Sequence, residues 1–363
     1  MAGNDNTRAP TIKDVAREAG VSFKTVSRVL NGNSSVNAEM RKSIEAAMER
    51  LDYRPNRGAR SLRSKRSYTL ALLWSRPPRV FAAEEGSALH DAPTYFADFL
   101  LELIIGCERG SRRGGYHMVL EFLDDESNGA LGKATDALIA DLAPDGIVIA
   151  PPLCDMPDLL DLLDERGVRY ARLMPGTAFE RGLCLMIDDF AAGREISEGL
   201  LEAGHRKFVF VSGPPNHIAA GSRYGGLAAA AANYPDAQIR VVAGDFSYDS
   251  GVRAAHVLLR DQDLPTAVFA ANDAMAAGII NTATREGLSI PSDMSVVGFD
   301  DSFFAQLLTP TLTTVRQPTR ELAKTATELL IEAVEGNEPF RGHAVRLPYE
   351  IIQRESTAAP RAG

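Results

Sequence analysis

Lys24, Arg28 and Asn31 are spaced by four and three residues, so on an α-helix they share one face, with Val26, Val29 and Leu30 turned the other way. A helix that is greasy on one side and carries ammonium, guanidinium and amide donors on the other can enter a DNA major groove. There an Arg fork reads guanine O6 and N7, and small hydroxyls fix the register on phosphates. The charge distribution points the same way. Residues 1–66 hold 14 Lys and Arg against 7 Asp and Glu, a net of +7, whereas the whole chain of 363 residues carries −9, leaving −16 for residues 67–363. A basic head on an acidic body confines phosphate binding to the head. Catalytic signatures are missing: there is no G-x-G-x-x-G after the first strand, no G-x-x-x-x-G-K-[ST], no G-x-S-x-G and no H-E-x-x-H. His90, His117, His205, His217, His256 and His343 are scattered without ligand spacing, so no metal is expected, and no cofactor or enzymatic activity is implied. Cys107, Cys154 and Cys184 read as reduced, buried residues.

Three helices must position the polar face. Thr11 caps the first, with Asp14 three residues on and Ile12, Val15, Ala16 and Ala19 inward; Gly20 makes the turn. Ser22 precedes the second helix, and Asn37 caps a third that carries Ile44, Ala47, Met48 and Leu51 on one stripe. Beyond Arg66 the pattern becomes strand alternating with helix. Strands are expected at 68–74, 117–122, 146–149, 168–173, 208–211, 239–242, 267–271 and 296–299, and helices at 96–109, 131–142, 190–203, 224–232, 250–259 and 274–285. Strict alternation implies parallel sheets covered on both faces, and about 300 residues of it exceed one sheet, so two doubly wound lobes with a crevice at their strand ends are expected. No run approaches the roughly 18 apolar residues of a membrane span, and the polar start Met1-Ala2-Gly3-Asn4-Asp5-Asn6 is no signal peptide; the expected location is cytoplasmic, at the nucleoid.

The run Val21-Ser22-Phe23-Lys24-Thr25-Val26-Ser27-Arg28-Val29-Leu30-Asn31 resembles the recognition helix of the lactose/galactose repressor family of bacterial transcription regulators. The resemblance implies that Phe23, Lys24 and Arg28 read base edges and that Ser22, Thr25, Ser27 and Asn31 contact phosphates, with Thr11 also facing DNA. Residues 53–63 are similar to the family's hinge helix, with Asn56 and Ala59 on DNA and Leu62 as the minor-groove wedge. Gly58, in mid-segment where relatives usually carry a side chain, weakens that helix, so a hinge ordered only on DNA is expected. Wedging needs two chains, hence a homodimer on a near-palindromic double-stranded operator. The tail after Arg354 lacks the heptads of a tetramer helix.

The similarity extends over the body through Ala203-Gly204-His205, Ser212-Gly213-Pro214, Ala270-Ala271-Asn272-Asp273, Val296-Val297-Gly298-Phe299-Asp300-Asp301 and Leu312-Thr313-Thr314-Val315. It implies a multi-domain chain: an all-α helix-turn-helix head (1–53), a hinge helix (54–66), and an α/β core of two doubly wound parallel-sheet subdomains of periplasmic-binding-protein-like type I. The subdomains would comprise 67–188 with 318–341, and 189–317 with 342–363, with crossings near Asp188, Gln317 and Arg341. Matched effector positions are Arg223, Phe246, Asn272 and Asp300, joined by Tyr95, Phe96 and Asp188. The Arg fork suits vicinal hydroxyls or a carboxylate, and Phe246 can stack on a sugar face or a purine; a sugar is expected, a purine is the alternative. Asn272 and Asp273 could equally cap a helix, Phe246 could be core, Asp300 could start a turn and Arg223 could form a plain ion pair. The stretch 75–94 is longer than the family's usual first loop, and either borders the crevice or runs over the surface. A metabolite-binding protein without operator recognition is the reading from another class.

Overall fold

A computed structural model describes residues 10–30, 36–51, 53, 66–75, 94–123, 130–260, 263–336 and 340–361, in two compact units, Met1–Ser67 and Tyr68–Gly363. The expected hinge residues Asn56, Ala59 and Leu62, together with Asn31 and the stretch 76–93, lie outside the described residues.

In the first unit, α1 (Ile12–Glu18), α2 (Phe23–Leu30) and α3 (Ala38–Arg50) form where caps and apolar spacing agree. The Thr11 backbone N–H and hydroxyl both donate to Asp14 Oδ2, at 2.9 and 2.6 Å, starting α1. Gly20 has φ of +66°, a conformation that a Cβ would strain, and turns the chain into α2. Met40 N–H donates to Asn37 Oδ1 at 2.8 Å, starting α3. Val15, Val26, Ile44 and Ala47 are fully buried, with Ala16, Val29 and Tyr53 around them. Each buried Val or Ile side chain contributes about 1.5–3 kcal/mol by leaving water.

The second unit begins with β1 (Thr69–Ser75), α4 (Thr94–Gly114), β2 (His117–Leu123), α5 (Ala130–Leu142), β3 (Gly146–Ile149), α6 (Pro157–Glu165), β4 (Tyr170–Leu173) and β5 (Leu183–Met186). The chain continues through α7 (Asp189–Glu202), β6 (Lys207–Val211), α8 (Ile218–Ala231), β7 (Gln238–Val242), α9 (Tyr248–Leu258), β8 (Ala267–Ala270), α10 (Asp273–Arg285), β9 (Ser295–Val297) and α11 (Phe303–Leu307). It ends in β10 (Thr314–Arg316), α12 (Thr319–Glu335), β11 (His343–Arg346) and β12 (Glu350–Ile352). One parallel sheet has the order β11-β5-β4-β3-β1-β2 and the other β7-β6-β8-β9; β10 and β12 pair antiparallel. β1 is buried on both faces, with Leu70, Leu72 and Trp74 in one core and Ala71 and Leu73 in another, as a parallel strand sandwiched by helices requires. In each sheet the strand order reverses beside the first strand, between β1 and β3 and between β6 and β8, which opens a crevice at the carboxyl ends.

One expected boundary moves. The final crossing was placed near Arg341, but β11 pairs in parallel with β5, so the chain stays with the first sheet through Arg346 and reaches β10 only with β12. β11 is an exposed edge strand, His-Ala-Val-Arg, held by backbone hydrogen bonds, so no apolar pattern announces it. β10 and β12 were likewise not expected: strands of three residues carry no readable period.

Candidate functional site

On α2, Ser22 acts as the cap: Thr25 N–H donates to Ser22 Oγ at 3.1 Å, and the two hydroxyls lie 2.8 Å apart. Ser22, Phe23, Lys24 and Arg28 are exposed, Thr25 and Ser27 are partly so, and Val26 and Val29 are buried behind them. Phe23, at 36% exposure, is therefore not a core aromatic. Thr11 is committed to Asp14, so its hydroxyl proton is already used within the head.

The body's cluster sits at the carboxyl ends of the second sheet, where loops leaving β6, β7, β8 and β9 converge. Arg223, on α8, is 4% exposed. Its Nε donates to Asp189 Oδ1 at 2.8 Å, its Nη1 donates to the Ala271 carbonyl at 2.6 Å, and its guanidinium lies 3.6 Å from the Phe299 ring centroid. The approach of α7 to α8 makes this pair possible. A Cβ on Gly193 would run into the Arg223 backbone, and one on Gly226 into Phe190 O and Arg194 N. Burial pushes the Asp189 carboxyl up, against the pull of Arg223.

Phe246 has φ of +67°, a costly conformation for a bulky residue, and is 8% exposed. Asn272 holds it: Asn272 Nδ2 donates to the Phe246 carbonyl at 3.0 Å, while Asn272 Oδ1 caps α10 by accepting Met275 N–H at 3.0 Å. The ring packs edge-on against His217 at 4.8 Å, and Gly213 leaves room that a Cβ would take from it. Burial and the nearby Arg223 push His217 down to about 3, so the imidazole is neutral.

Asp300 follows β9 with φ of +115°. Its backbone N–H donates to Val315 O at 2.8 Å, which brings Gln317 alongside, and Gln317 Nε2 donates to Asp300 Oδ1 at 2.6 Å. Burial raises the carboxyl to about 6; Arg223 and Gln317 oppose that rise, and Asp189 and Asp98 add to it. Asp273 is buried and accepts from Thr314 Oγ1 at 2.6 Å and Ser302 N–H at 2.7 Å; burial, then Asp300, raises its pKa. Asp301 is pinned by Arg316 and Arg354 at 2.7 and 2.6 Å. From the first half, Asp98 on α4 accepts Phe303 N–H of α11 at 2.9 Å.

The structure thus brings Arg223, Phe246, Asn272 and Asp300 together. Asp188 is exposed and caps α7 by accepting Ala191 N–H at 2.9 Å, while its neighbour Asp189 enters the cluster instead. Tyr95 and Phe96 fall in the first turn of α4, and their side chains lie outside what the structure describes. Asp189, His217 and Gln317 were not foreseen as cluster members. The Asp188-Asp189 doublet was the available signal, but only a fold that apposes α7 and α8 tells its two members apart.

Residues 11–56 match the family described as bacterial regulatory proteins, lacI family, and residues 198–357 match the periplasmic binding protein-like domain. Catabolite control protein A of Priestia megaterium is 31% identical over 96% of this chain and 99% of its own length. The HTH-type transcriptional regulator CelR of Thermobifida fusca is 33% identical over 97% and 99%, and the HTH-type transcriptional repressor PurR of Pectobacterium atrosepticum 32% identical over 96% and 97%. Among solved structures, the lac repressor dimer bound to operator and the anti-inducer ONPF superposes with a TM-score of 0.74 at 28% identity, covering 97% of this chain and 100% of that one. A CelR–cellobiose complex gives 0.68 at 30% identity, covering 96% and 99%. With a recognition helix that buries Val26 and Val29 behind exposed Lys24 and Arg28, and near full-length similarity to these regulators, the chain belongs to the lacI family of DNA-binding transcription regulators.

Proposed function

We propose that this regulator is a cytoplasmic repressor that binds a near-palindromic operator as a homodimer and is controlled by a small effector, a sugar, held between the two halves of its core. The observation that carries the DNA-binding part is the face of α2, where Phe23, Lys24 and Arg28 stand exposed on a helix anchored from behind by Val26 and Val29. Such a face meets a major groove, and Arg28 can fork onto a guanine. Dimerisation draws support from the lac repressor dimer and from Leu101, Phe303 and Leu307, which stand 51%, 63% and 62% exposed on α4 and α11.

The effector acts by differential affinity. It shifts operator binding only as far as it favours one arrangement of the halves over the other. Residues that touch both halves of the crevice are therefore the ones that transmit it. Asp98 and Phe303 form one such link. The cellobiose complex of CelR supports a sugar. A purine is the second reading, favoured by the paired rings of Phe246 and His217 and by the PurR relatives.

The test is a gel shift of the full chain on a genome-derived library, repeated across ionic strengths. Selection of a two-fold symmetric sequence, bound about 1,000-fold or more above scrambled duplex and weakening with salt, is expected. Equal affinity for all duplexes at every salt concentration would refute operator-specific repression.

A further inference from the structure

Glycines of the core let neighbouring elements of one half approach each other. Gly193 and Gly226 seat α7 against α8, Gly251 and Gly278 seat α9 against α10, and Gly106 and Gly110 seat α4 against α12. Among the described glycines, Gly176 alone has the opposite half as its nearest neighbour. It lies just past β4, at the carboxyl end of the first sheet. A Cβ there would run into Cβ and Cγ2 of Ile218, the first residue of α8, which follows β6 of the second sheet. Carbon atoms pack at roughly 3.5–4.0 Å, so the overlap is severe. Gly176 is not in a left-handed conformation, so its backbone would accept alanine, and the lack of space alone demands glycine.

Neither side of the contact can yield easily. The Gly176 loop is fastened by Arg172, a fully buried arginine on β4. Its Nε donates to the Cys154 carbonyl at 2.6 Å, and its Nη1 donates to the carbonyls of Ala178 and Arg181 at 2.7 and 3.2 Å. Its Nη2 donates to the Thr177 carbonyl and to Asp155 Oδ1, both at 2.9 Å. Asp155, itself buried, accepts the Gly176 N–H at 2.9 Å and the Thr177 N–H at 3.3 Å. Moving the loop would therefore break a buried ion pair and strand polar groups on two segments. The same loop holds Met174 and Ala178 at φ of +50° and +47°, conformations that persist in such residues only where the surroundings impose them. On the other side, one of the atoms struck is Ile218 Cβ, which no side-chain rotation displaces, on a helix seated against α7.

We propose that Gly176 and Ile218 form a steric stop that fixes how closely the two halves of the core approach on the α8 side, and that this spacing sets operator affinity. The second part rests on the reading that the arrangement of the halves governs operator binding. The other link between the halves, the hydrogen bond from Phe303 N–H to Asp98, can lengthen or be replaced by water as the halves shift. A van der Waals contact between a fastened loop and a packed helix cannot be compressed in that way. Ile218 also adjoins His217, whose ring packs edge-on against Phe246 at 4.8 Å, so the stop and the crevice cluster share one stretch of backbone. Adding one methyl group at position 176 wedges the halves apart, and clearing position 218 removes the wedge.

The test is a double-variant cycle on the full-length protein: wild type, Gly176→Ala, Ile218→Gly and the two combined. Each is titrated on the operator selected from the genome-derived library, and its amide exchange is followed without DNA. Gly176→Ala is expected to change operator affinity by about tenfold or more in the wild-type background and by less than about threefold beside Ile218→Gly. An equal change in both backgrounds, or none in either, overturns the proposal, because damage confined to the loop would not be relieved from α8. The Phe303 amide, which donates to Asp98 of the other half, reads the movement without DNA. It is expected to exchange about fivefold faster in Gly176→Ala and at the Ile218→Gly rate in the combined variant, with the Thr177 amide unchanged. A faster Thr177 amide with Phe303 unmoved would mean that the loop gives way, and overturns the stop. A wild type that prefers no duplex, with Phe303 responding as expected, overturns the operator reading and leaves the stop standing.

Discussion

The recognition face of α2 and the cluster at the end of the second sheet both place arginines among small polar residues, yet they treat the charge in opposite ways. Arg28 is exposed, and the polar residues that accompany it lie within a turn or two on the same helix. Arg223 is almost wholly buried, and its partners come from the chain 34 and 48 residues away, by ion pair to Asp189 and hydrogen bond to Ala271. The first arrangement leaves the guanidinium hydrated and ready for DNA, so its removal should cost binding and leave folding intact. The second ties the guanidinium into the fold, so its removal should damage folding as well as any binding at the crevice. Buried groups tied to one another across the fold are stiff, whereas charges on a helix surface act on a partner through their field.

Arg223→Ala should produce the largest effect. It strands Asp189 at 9% exposure beside α8, and breaking a buried pair from one side typically costs about 3–5 kcal/mol. Denaturant unfolding of the full chain would measure it. A loss below about 1 kcal/mol would mean that Asp189 is readily rehydrated and that the contrast between the two regions is false.

Arg28→Ala should cost about 1–3 kcal/mol of operator binding and relax selectivity at one base pair, with the unfolding midpoint unchanged within error. Titrating wild type and variant on the selected operator and on single-base variants of it separates base reading from phosphate contact. Equal losses on every sequence would reassign Arg28 to the backbone.

A gentler effect concerns pH. Because the Asp300 carboxyl is raised from 3.8 to about 6 in the folded chain, the folded state binds more protons than the unfolded one between those values. The Asp300 contribution to stability is therefore fully present below about pH 4 and lost as the pH rises through 6. Stability of wild type minus that of Asp300→Asn should fall across this window, whereas a flat difference would show that solvent reaches the carboxylate freely.

Legibility from sequence followed the same division. The head was readable almost residue by residue: Thr11, Ser22 and Asn37 start their helices, and Val15, Val26, Ile44 and Ala47 are the core that helical spacing demanded. Caps and periods operate within about four residues, so local sequence contains them. In the body β1, β2, β3, β6, β7 and β8 fall within a residue or so of expectation, whereas β5, a buried but only four-residue apolar run, was not expected. The short β10, β11 and β12 escaped because backbone pairing holds them without an apolar period. At the cluster, resemblance pointed to Arg223, Phe246, Asn272 and Asp300, but it chose Asp188 where Asp189 does the pairing. Asn272 turned out to be committed to the Phe246 carbonyl and to the start of α10.

By itself, the sequence determined that a basic three-helix head precedes an acidic body of two parallel sheets, because charge and hydrophobic period are properties of neighbouring residues. Only the tertiary structure decided which carboxylates face Arg223, that Phe246 is locked in a left-handed conformation, and that Gln317 stands beside Asp300 with one oxygen unfilled. Those facts depend on glycine-lined helix contacts and on the register of strands far apart in the chain. Desolvation and hydrogen-bond satisfaction are defined only once these distant segments have met.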